Sequence, residues 1–162
     1  TIGAFVSGDE DVIDFLRYNM RSQTFAKALP MPIVVGARKR LQMLRESSIH
    51  KDKLWAIASS LQSGLRAEGF NLGVTNSCVT PVFLHGGLGE ATNLTVDLRE
   101  NHGIFCSIVV YPVVPRETIM LRLIPTAVHT QEDVDFTIKT FSNVKARLEA
   151  GEYKSEKIAS WS

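Results

Sequence analysis

A single arginine interrupts an otherwise apolar segment near the end of the chain. Arg122 lies between Leu121 and Leu123, inside the run Ile-Met-Leu-Arg-Leu-Ile-Pro of residues 119–125. A short apolar run of this kind predicts a buried strand. A guanidinium keeps its proton inside a protein, so it must be paired or reach solvent, and its planar fork fits a carboxylate or a phosphate. We therefore expect an anion opposite Arg122, either an Asp or Glu of this chain or a bound ligand.

Composition and charge argue against several classes of protein: nucleic-acid-binding, membrane-spanning and metal-binding. The chain has 162 residues and a net charge of +1 without a basic block, which argues against nucleic acid as a partner. No run approaches the roughly 20 apolar residues of a membrane-spanning helix. The two cysteines, Cys78 and Cys106, lack metal-ligand spacing, and no histidines are spaced with a carboxylate as ligands, so no metal site is expected. Free thiols are typical of a reducing compartment and predict a cytoplasmic protein.

Hydrophobic periodicity predicts an α/β (α+β) chain with about four strands. From residue 77 onward the order is strand, helix, strand, strand, helix, which predicts a small antiparallel or mixed sheet covered on one face by helices. Gly69 is expected to end a helix, and Thr130 or its neighbour to cap the last one. Strands are predicted at residues 2–8, 78–85, 104–111 and 119–125, and helices from residue 9 and over 33–44, 51–68, 91–98 and 130–148.

Four segments, in this order, resemble the α-oxoamine synthase family of pyridoxal 5'-phosphate (PLP) enzymes. They are residues 3–6 (Gly-Ala-Phe-Val) before an acidic helix start, residues 21–30 (Arg-Ser-Gln-Thr-Phe-Ala-Lys-Ala-Leu-Pro), residues 111–115 (Tyr-Pro-Val-Val-Pro), and residues 121–130, where Leu-Arg-Leu leads to Thr-Ala-Val-His-Thr. The resemblance covers nearly the whole chain. It implies the C-terminal domain of a fold-type-I PLP transferase, preceded by a terminal strand of the large domain.

The resemblance also implies a domain organisation. Residues 1–29 would be the end of the large PLP-binding domain, 30–50 a linking helix, and 51–162 the C-terminal small domain. The family's cofactor lysine would precede Thr1, so no catalytic residue is expected in this chain. We expect a truncated chain that neither binds PLP nor turns over substrate by itself.

By the same resemblance, the parent enzyme condenses an amino acid with an acyl-CoA and releases carbon dioxide, and it works as a homodimer. Arg122 would hold the carboxylate of the amino acid. The backbone around Ala26 and Lys27 would approach the phosphate of PLP bound to the partner subunit. An imine-forming lysine needs a lowered pKa from burial or cationic neighbours, and nothing in the sequence indicates this for Lys27. His129, at a helix start, is interpreted as structural.

Several alternatives remain at this point. The Ala-Lys-Ala sequence of residues 26–28 favours the bacterial serine palmitoyltransferase branch, which makes 3-oxosphinganine from L-serine and palmitoyl-CoA in sphingolipid synthesis. The 8-amino-7-oxononanoate synthase and glycine C-acetyltransferase branches are the alternatives within the family. A different class is a free-standing binding or dimerisation domain, in which Arg122 grips a carboxylate ligand or an internal acid.

Overall fold

The structure is a computed structural model that describes residues 2–154. These residues fall into two compact units that divide between Ser48 and Ile49. The first unit contains three helices, and the second contains three helices and a sheet. A mixed α/β chain with a small sheet agrees with the fold class predicted from the sequence.

The first unit consists of α1 (Glu10–Asn19), α2 (Arg21–Thr24) and α3 (Met31–Glu46). Acidic residues occupy the first turn of α1, where the helix dipole favours negative charge. Pro32 lies in the first turn of α3, where the missing N–H costs no helical hydrogen bond. None of the three helices contains a buried residue, so their apolar side chains contribute no enclosed core within this unit.

The strand expected over residues 2–8 is not present, and this prediction is wrong for the described chain. These residues form no hydrogen-bonded ladder in the structure. A strand needs a neighbouring backbone to satisfy its N–H and C=O groups. The apolar sequence supplies the side chains of a strand, but residues 2–48 supply no partner strand.

The second unit consists of a long helix, a three-stranded sheet and two further helices. Its elements are α4 (Ile49–Ala67), β1 (Thr80–His85), α5 (Leu88–Glu100), β2 (Ser107–Val109), β3 (Thr118–Leu123) and α6 (Gln131–Glu149). Gly69 follows α4 with a φ of 75°, and the N–H of Phe70 donates to the carbonyl oxygen of Leu65 across this turn. A left-handed residue of this kind is the common way to end a helix, as predicted.

The sheet is antiparallel, with the strand order β1-β3-β2. The middle strand, β3, alternates between its two faces: Ile119, Leu121 and Leu123 are buried, whereas Arg122 is exposed. The prediction of a buried strand therefore holds for the face that packs against α4, α5 and α6, and it is wrong for the face that carries Arg122. Strand β2 is shorter than predicted, since the N–H of Ile104 donates to the carbonyl oxygen of Leu98 at the end of α5 instead of to a strand.

The core lies between the inner face of the sheet and the helices α4, α5 and α6. Apolar stripes at helical spacing supply it, as the periodicity predicted. The phenyl rings of Phe70 and Phe141 meet edge to face, with centroids 6.1 Å apart. The fully enclosed core side chains include Leu65, Leu72, Val82, Leu94, Leu98, Ile119, Leu121, Phe141 and Val144.

Two further sequence expectations concern the thiols and the membrane. Cys78 and Cys106 are both free, and burial raises the pKa of the Cys106 thiol to about 11. Within residues 2–154, none of the helices combines the length and the apolar character needed to cross a bilayer.

Candidate functional site

Arg122 lies on the open face of the sheet, on the strand that is hydrogen-bonded on both sides. The antiparallel register places it directly between Pro81 of β1 and Ser107 of β2. Its Nε donates a hydrogen bond to the Ser107 hydroxyl oxygen at 3.1 Å. The guanidinium is therefore exposed to solvent, and its backbone is fixed because β3 is hydrogen-bonded to both β1 and β2.

No acid of the described part of the second unit neutralises Arg122. Within the described part of the second unit, residues 49–154, no carboxylate lies within the 4.0 Å ion-pair distance of its nitrogens, and the hydroxyl of Ser107 is the only hydrogen-bond partner found. The internal Asp or Glu that the sequence left open is therefore absent from this part of the molecule. Both terminal nitrogens, Nη1 and Nη2, remain as a pair of parallel donors, which is the geometry that binds a carboxylate in two hydrogen bonds.

The surface around Arg122 is more apolar than an ordinary solvent face. The next row of the sheet on the same face contains Phe83, Met120 and Val109, all only half-buried. Beyond β2, the chain turns through the proline-bracketed loop of residues 112–115, where the guanidinium of Arg116 lies 4.8 Å from the centroid of the Tyr111 ring. An apolar surface beside a single cation suits a small amphipathic acid better than a polyanion.

The segment between β3 and α6 is fixed by local hydrogen bonds. The N–H of Thr126 donates to Nδ1 of His129 at 3.0 Å, so that this ring nitrogen serves as an acceptor. Thr130 and Asp133 exchange hydrogen bonds in a capping box, and the backbone and hydroxyl donors of Thr130 hold the pKa of Asp133 below its ordinary value. These contacts support the structural role predicted for His129 and the predicted cap at Thr130.

A cavity of about 270 Å³ opens beside the C-terminal end of β3. Its polar lining includes His102, His129 and Asp133, and the remainder comes from α4, α6, the end of β3 and residues 103–105 and 124–125. Arg122 does not line this cavity, because its side chain projects from the opposite face of the sheet from Leu123. In the part of the chain that the structure describes, no three His, Cys, Asp or Glu side chains are placed to hold a metal ion.

Ala26 and Lys27 belong to the first unit and lie in the irregular segment after α2. Both are exposed, and their backbone N–H groups have no acceptor among the described residues. Free amides beside a small side chain fit the phosphate part of PLP, because a phosphate accepts several N–H bonds. No lysine within residues 2–154 is buried, so the described chain offers no side chain suited to the imine of the cofactor.

Sequence reasoning missed a polar cluster centred on Asp97 of α5. The carboxylate is 8% exposed and accepts hydrogen bonds from Nη1 of Arg147 at 2.6 Å and from the hydroxyl of Tyr153 at 2.5 Å. The side-chain amide of Asn101 donates to it at 2.7 Å. Asp97 follows Leu94 by three residues, so its position on the apolar stripe of α5 was the one available signal.

Electrostatics favour the charged form of Asp97. Burial raises the pKa of its carboxyl, but the hydrogen bonds from Tyr153 and Asn101 and the charge of Arg147 outweigh burial and lower the pKa overall. Burial and the neighbouring carboxylate raise the pKa of Tyr153. The cluster joins α5, α6 and the segment that follows α6.

Comparison with known proteins agrees with this geometry. The sequence pattern of the family described as aminotransferase class I and II matches residues 1–141. The chain is 54% identical over 154 residues to the cysteate-C-fatty acyltransferase of Capnocytophaga ochracea, covering 95% of this chain and 37% of that protein. It is 31% identical over 149 residues to the serine palmitoyltransferase of Sphingobacterium spiritivorum, covering 92% of this chain and 37% of that protein.

A solved structure of serine palmitoyltransferase from S. paucimobilis with bound PLP–myriocin is also similar. The TM-score is 0.70 at 25% identity, covering 85% of this chain and 34% of that structure. The chain thus spans about 37% of the length of the curated relatives that it matches. The resemblance to PLP-dependent acyltransferases is confirmed by these relatives. Because the family pattern covers most of its length, the chain belongs to the aminotransferase class I and II family.

Proposed function

We propose that the protein containing this chain is a PLP-dependent acyltransferase that condenses an amino acid with a fatty acyl-CoA and releases carbon dioxide. One observation supports this proposal most directly: Arg122 presents Nη1 and Nη2 to solvent without an acidic partner among the described residues of the second unit. A permanent cation kept open in this way is suited to bind an incoming carboxylate. The relatives supply the reaction class to which such an anchor belongs.

Arg122 contributes binding and orientation. Two parallel hydrogen bonds from its Nη atoms fix the plane of the substrate carboxylate and therefore the direction of the other bonds to Cα. PLP, when bound, supplies an electron-withdrawing ring that takes up the electron pair released at Cα. The half-buried Phe83, Met120 and Val109 beside Arg122 limit the access of water to one side of the substrate.

The remaining contacts with the cofactor divide between two places. We assign the backbone N–H groups of Ala26 and Lys27 to the phosphate of PLP in the partner subunit of a homodimer, since both groups are exposed and lack an internal acceptor. We assign the imine-forming lysine to the part of the protein that corresponds to the rest of the relatives' length. Within this domain division, residues 1–29 contribute to the cofactor and residues 51–162 to the amino acid.

The identity of the amino-acid substrate is inferred separately from the reaction class. The Ala-Lys-Ala segment of residues 26–28 favoured L-serine with palmitoyl-CoA, and 31% identity to a serine palmitoyltransferase keeps that as the second candidate. We propose L-cysteate with a fatty acyl-CoA instead, because the identity to a cysteate-C-fatty acyltransferase is 54% over nearly the same residues. L-Cysteate and L-serine share the carboxylate that Arg122 would bind and differ in the group on Cβ.

A substrate panel tests this choice. The protein from the complete reading frame, loaded with PLP, is given palmitoyl-CoA with L-cysteate, L-serine, glycine or L-alanine, and the released coenzyme A thiol and the product masses are measured. We expect kcat/KM for L-cysteate to exceed that for L-serine by at least about tenfold, because a site built for one polar group rejects an analogue that lacks it. Preference for L-serine would establish the second candidate. Absence of coenzyme A release with all four amino acids would contradict the acyltransferase proposal.

A second prediction concerns the 162 residues alone. We expect no stoichiometric protein-bound cofactor absorbance once free PLP is removed and no release of coenzyme A, because residues 2–154 contain no buried lysine. The measurement combines an absorbance spectrum with borohydride reduction and mass spectrometry, and the protein from the complete reading frame is the positive control. PLP found covalently attached to Lys27 would show that the imine lysine has been assigned to the wrong part of the protein.

A further inference from the structure

Ser107 and Arg122 are direct neighbours across two strands. The β2–β3 register pairs their Cα atoms, and the Ser107 hydroxyl accepts the single N–H of the Arg122 Nε at 3.1 Å. On the other side of Arg122 the register places Pro81, whose side chain has neither a donor nor an acceptor. Ser107 is therefore the one polar side chain beside Arg122 in this row of the sheet.

This hydrogen bond limits the ways in which Arg122 can bind an oxyanion. A guanidinium can take a carboxylate side-on, through Nε and one Nη, or end-on, through both Nη atoms. The hydroxyl of Ser107 occupies the N–H of Nε, and only the end-on mode remains. The same bond restrains rotation of a long side chain, so less rotamer entropy is lost when the substrate binds.

We propose that Ser107 is a positioning residue for the amino-acid substrate, acting through Arg122. It aims the guanidinium so that Nη1 and Nη2 together receive the substrate carboxylate. The inference rests on the proposed role of Arg122 as the carboxylate anchor and adds a residue that determines how that anchor is oriented.

The test compares two substitutions of equal shape. Ser107→Thr keeps the hydroxyl, Ser107→Val removes it, and both residues favour a strand. The dissociation constants of L-cysteate and L-serine are measured from the change in cofactor absorbance in the PLP-loaded protein from the complete reading frame, without acyl-CoA. We expect Ser107→Val to raise the dissociation constant of the bound amino acid about three- to tenfold, the size of one lost hydrogen bond. Ser107→Thr should stay within about twofold of the parent protein.

Steady-state kinetics add a readout that a purely structural residue would not produce. Removal of a substrate-binding contact raises KM and leaves kcat nearly unchanged, and melting temperature shows whether the fold is intact. In an Arg122→Ala background, Ser107→Val should have no further effect on binding, because the two residues act as one unit.

The outcomes separate the inference from the function on which it rests. Equal dissociation constants for Ser107→Val and the parent protein, with binding weakened in Arg122→Ala, would overturn the role of Ser107 and leave the anchor in place. Unchanged amino-acid binding in Arg122→Ala would overturn the anchor itself. A weakened Ser107→Val that is rescued by Ser107→Thr supports both.

Discussion

Replacement of Arg122 by methionine should lower kcat/KM of the PLP-loaded protein by about two to four orders of magnitude. Two charge-assisted hydrogen bonds contribute about 1.5–3 kcal/mol each, and the substitution removes both. Methionine retains most of the length of the side chain, and residue 122 lies on the exposed face of the sheet, so the fold has little to lose. The measurements are kcat/KM with the preferred amino acid and its dissociation constant from cofactor absorbance.

Arg122→Lys is the matched control for charge. It keeps a cation at the same position but replaces the planar fork by a single ammonium group. We expect an activity between those of the parent protein and Arg122→Met. If Arg122→Met retains the kcat/KM of the parent protein, the carboxylate anchor does not lie at this residue and the proposed function loses its main structural support.

Substitution of Asp97 by asparagine should destabilise the second unit by about 1–2 kcal/mol. The change preserves shape but removes the charge that accepts from Arg147 and Tyr153. The Arg147 side chain is 41% exposed and keeps its hydrogen bond to Glu152 at 2.7 Å, so solvent and Glu152 offset part of the loss. Tyr153 would keep a weaker acceptor, so part of the cluster remains. The free energy of unfolding is measured in urea at neutral pH on the protein from the complete reading frame.

Asp135→Asn is a control on the neighbouring helix. Asp135 is exposed on α6 and accepts a bond only from Gln131 within the same helix, at 2.8 Å. Its removal should change the free energy of unfolding by less than about 0.5 kcal/mol. Equal effects of the two substitutions would mean that the Asp97 cluster adds nothing beyond an ordinary surface carboxylate.

The pH dependence of the Asp97 effect has a defined sign. The pKa of this carboxyl is lowered in the folded state from an ordinary value of 3.8, so its stabilisation is complete above that value. As pH falls below about 4, the stabilisation is lost while the folded-state carboxyl takes up its proton. The stability difference between the parent protein and Asp97→Asn should therefore shrink in acid, and a constant difference from pH 7 down to about pH 2 would contradict the lowered pKa.

Local patterns were sufficient for most of the second unit. Helical spacing of apolar residues located α4 and α6, and the cap at Thr130 was identifiable because its partners lie within one turn. The exposure of Arg122 was not identifiable in the same way. The open face of the sheet contains Met120 and Phe83, which are apolar, so the sequence of β3 shows no alternation between apolar and polar residues that would separate the two faces.

Features that depend on distant residues were missed. Asp97 meets Arg147 and Tyr153 only after α5 and α6 have packed together, and Ser107 meets Arg122 only through the strand register. The strand expected over residues 2–8 failed for a related reason, because a strand is defined by a partner that its own residues do not encode. Arg122 itself was found because an ionic group in an apolar run demands an explanation at the level of the sequence alone.

The alternation of β3 also restricts how this segment can change in evolution. Side chains of a strand point to opposite faces with a period of two, so deletion of one residue between Thr118 and Leu121 would turn Arg122 inward and expose Leu121. A single deletion would therefore remove Leu121 from the core and the guanidinium of Arg122 from the exposed face. We therefore expect single-residue deletions in this strand to be far more damaging than substitutions on its open face, whereas an inserted residue would have to be taken up as a β-bulge.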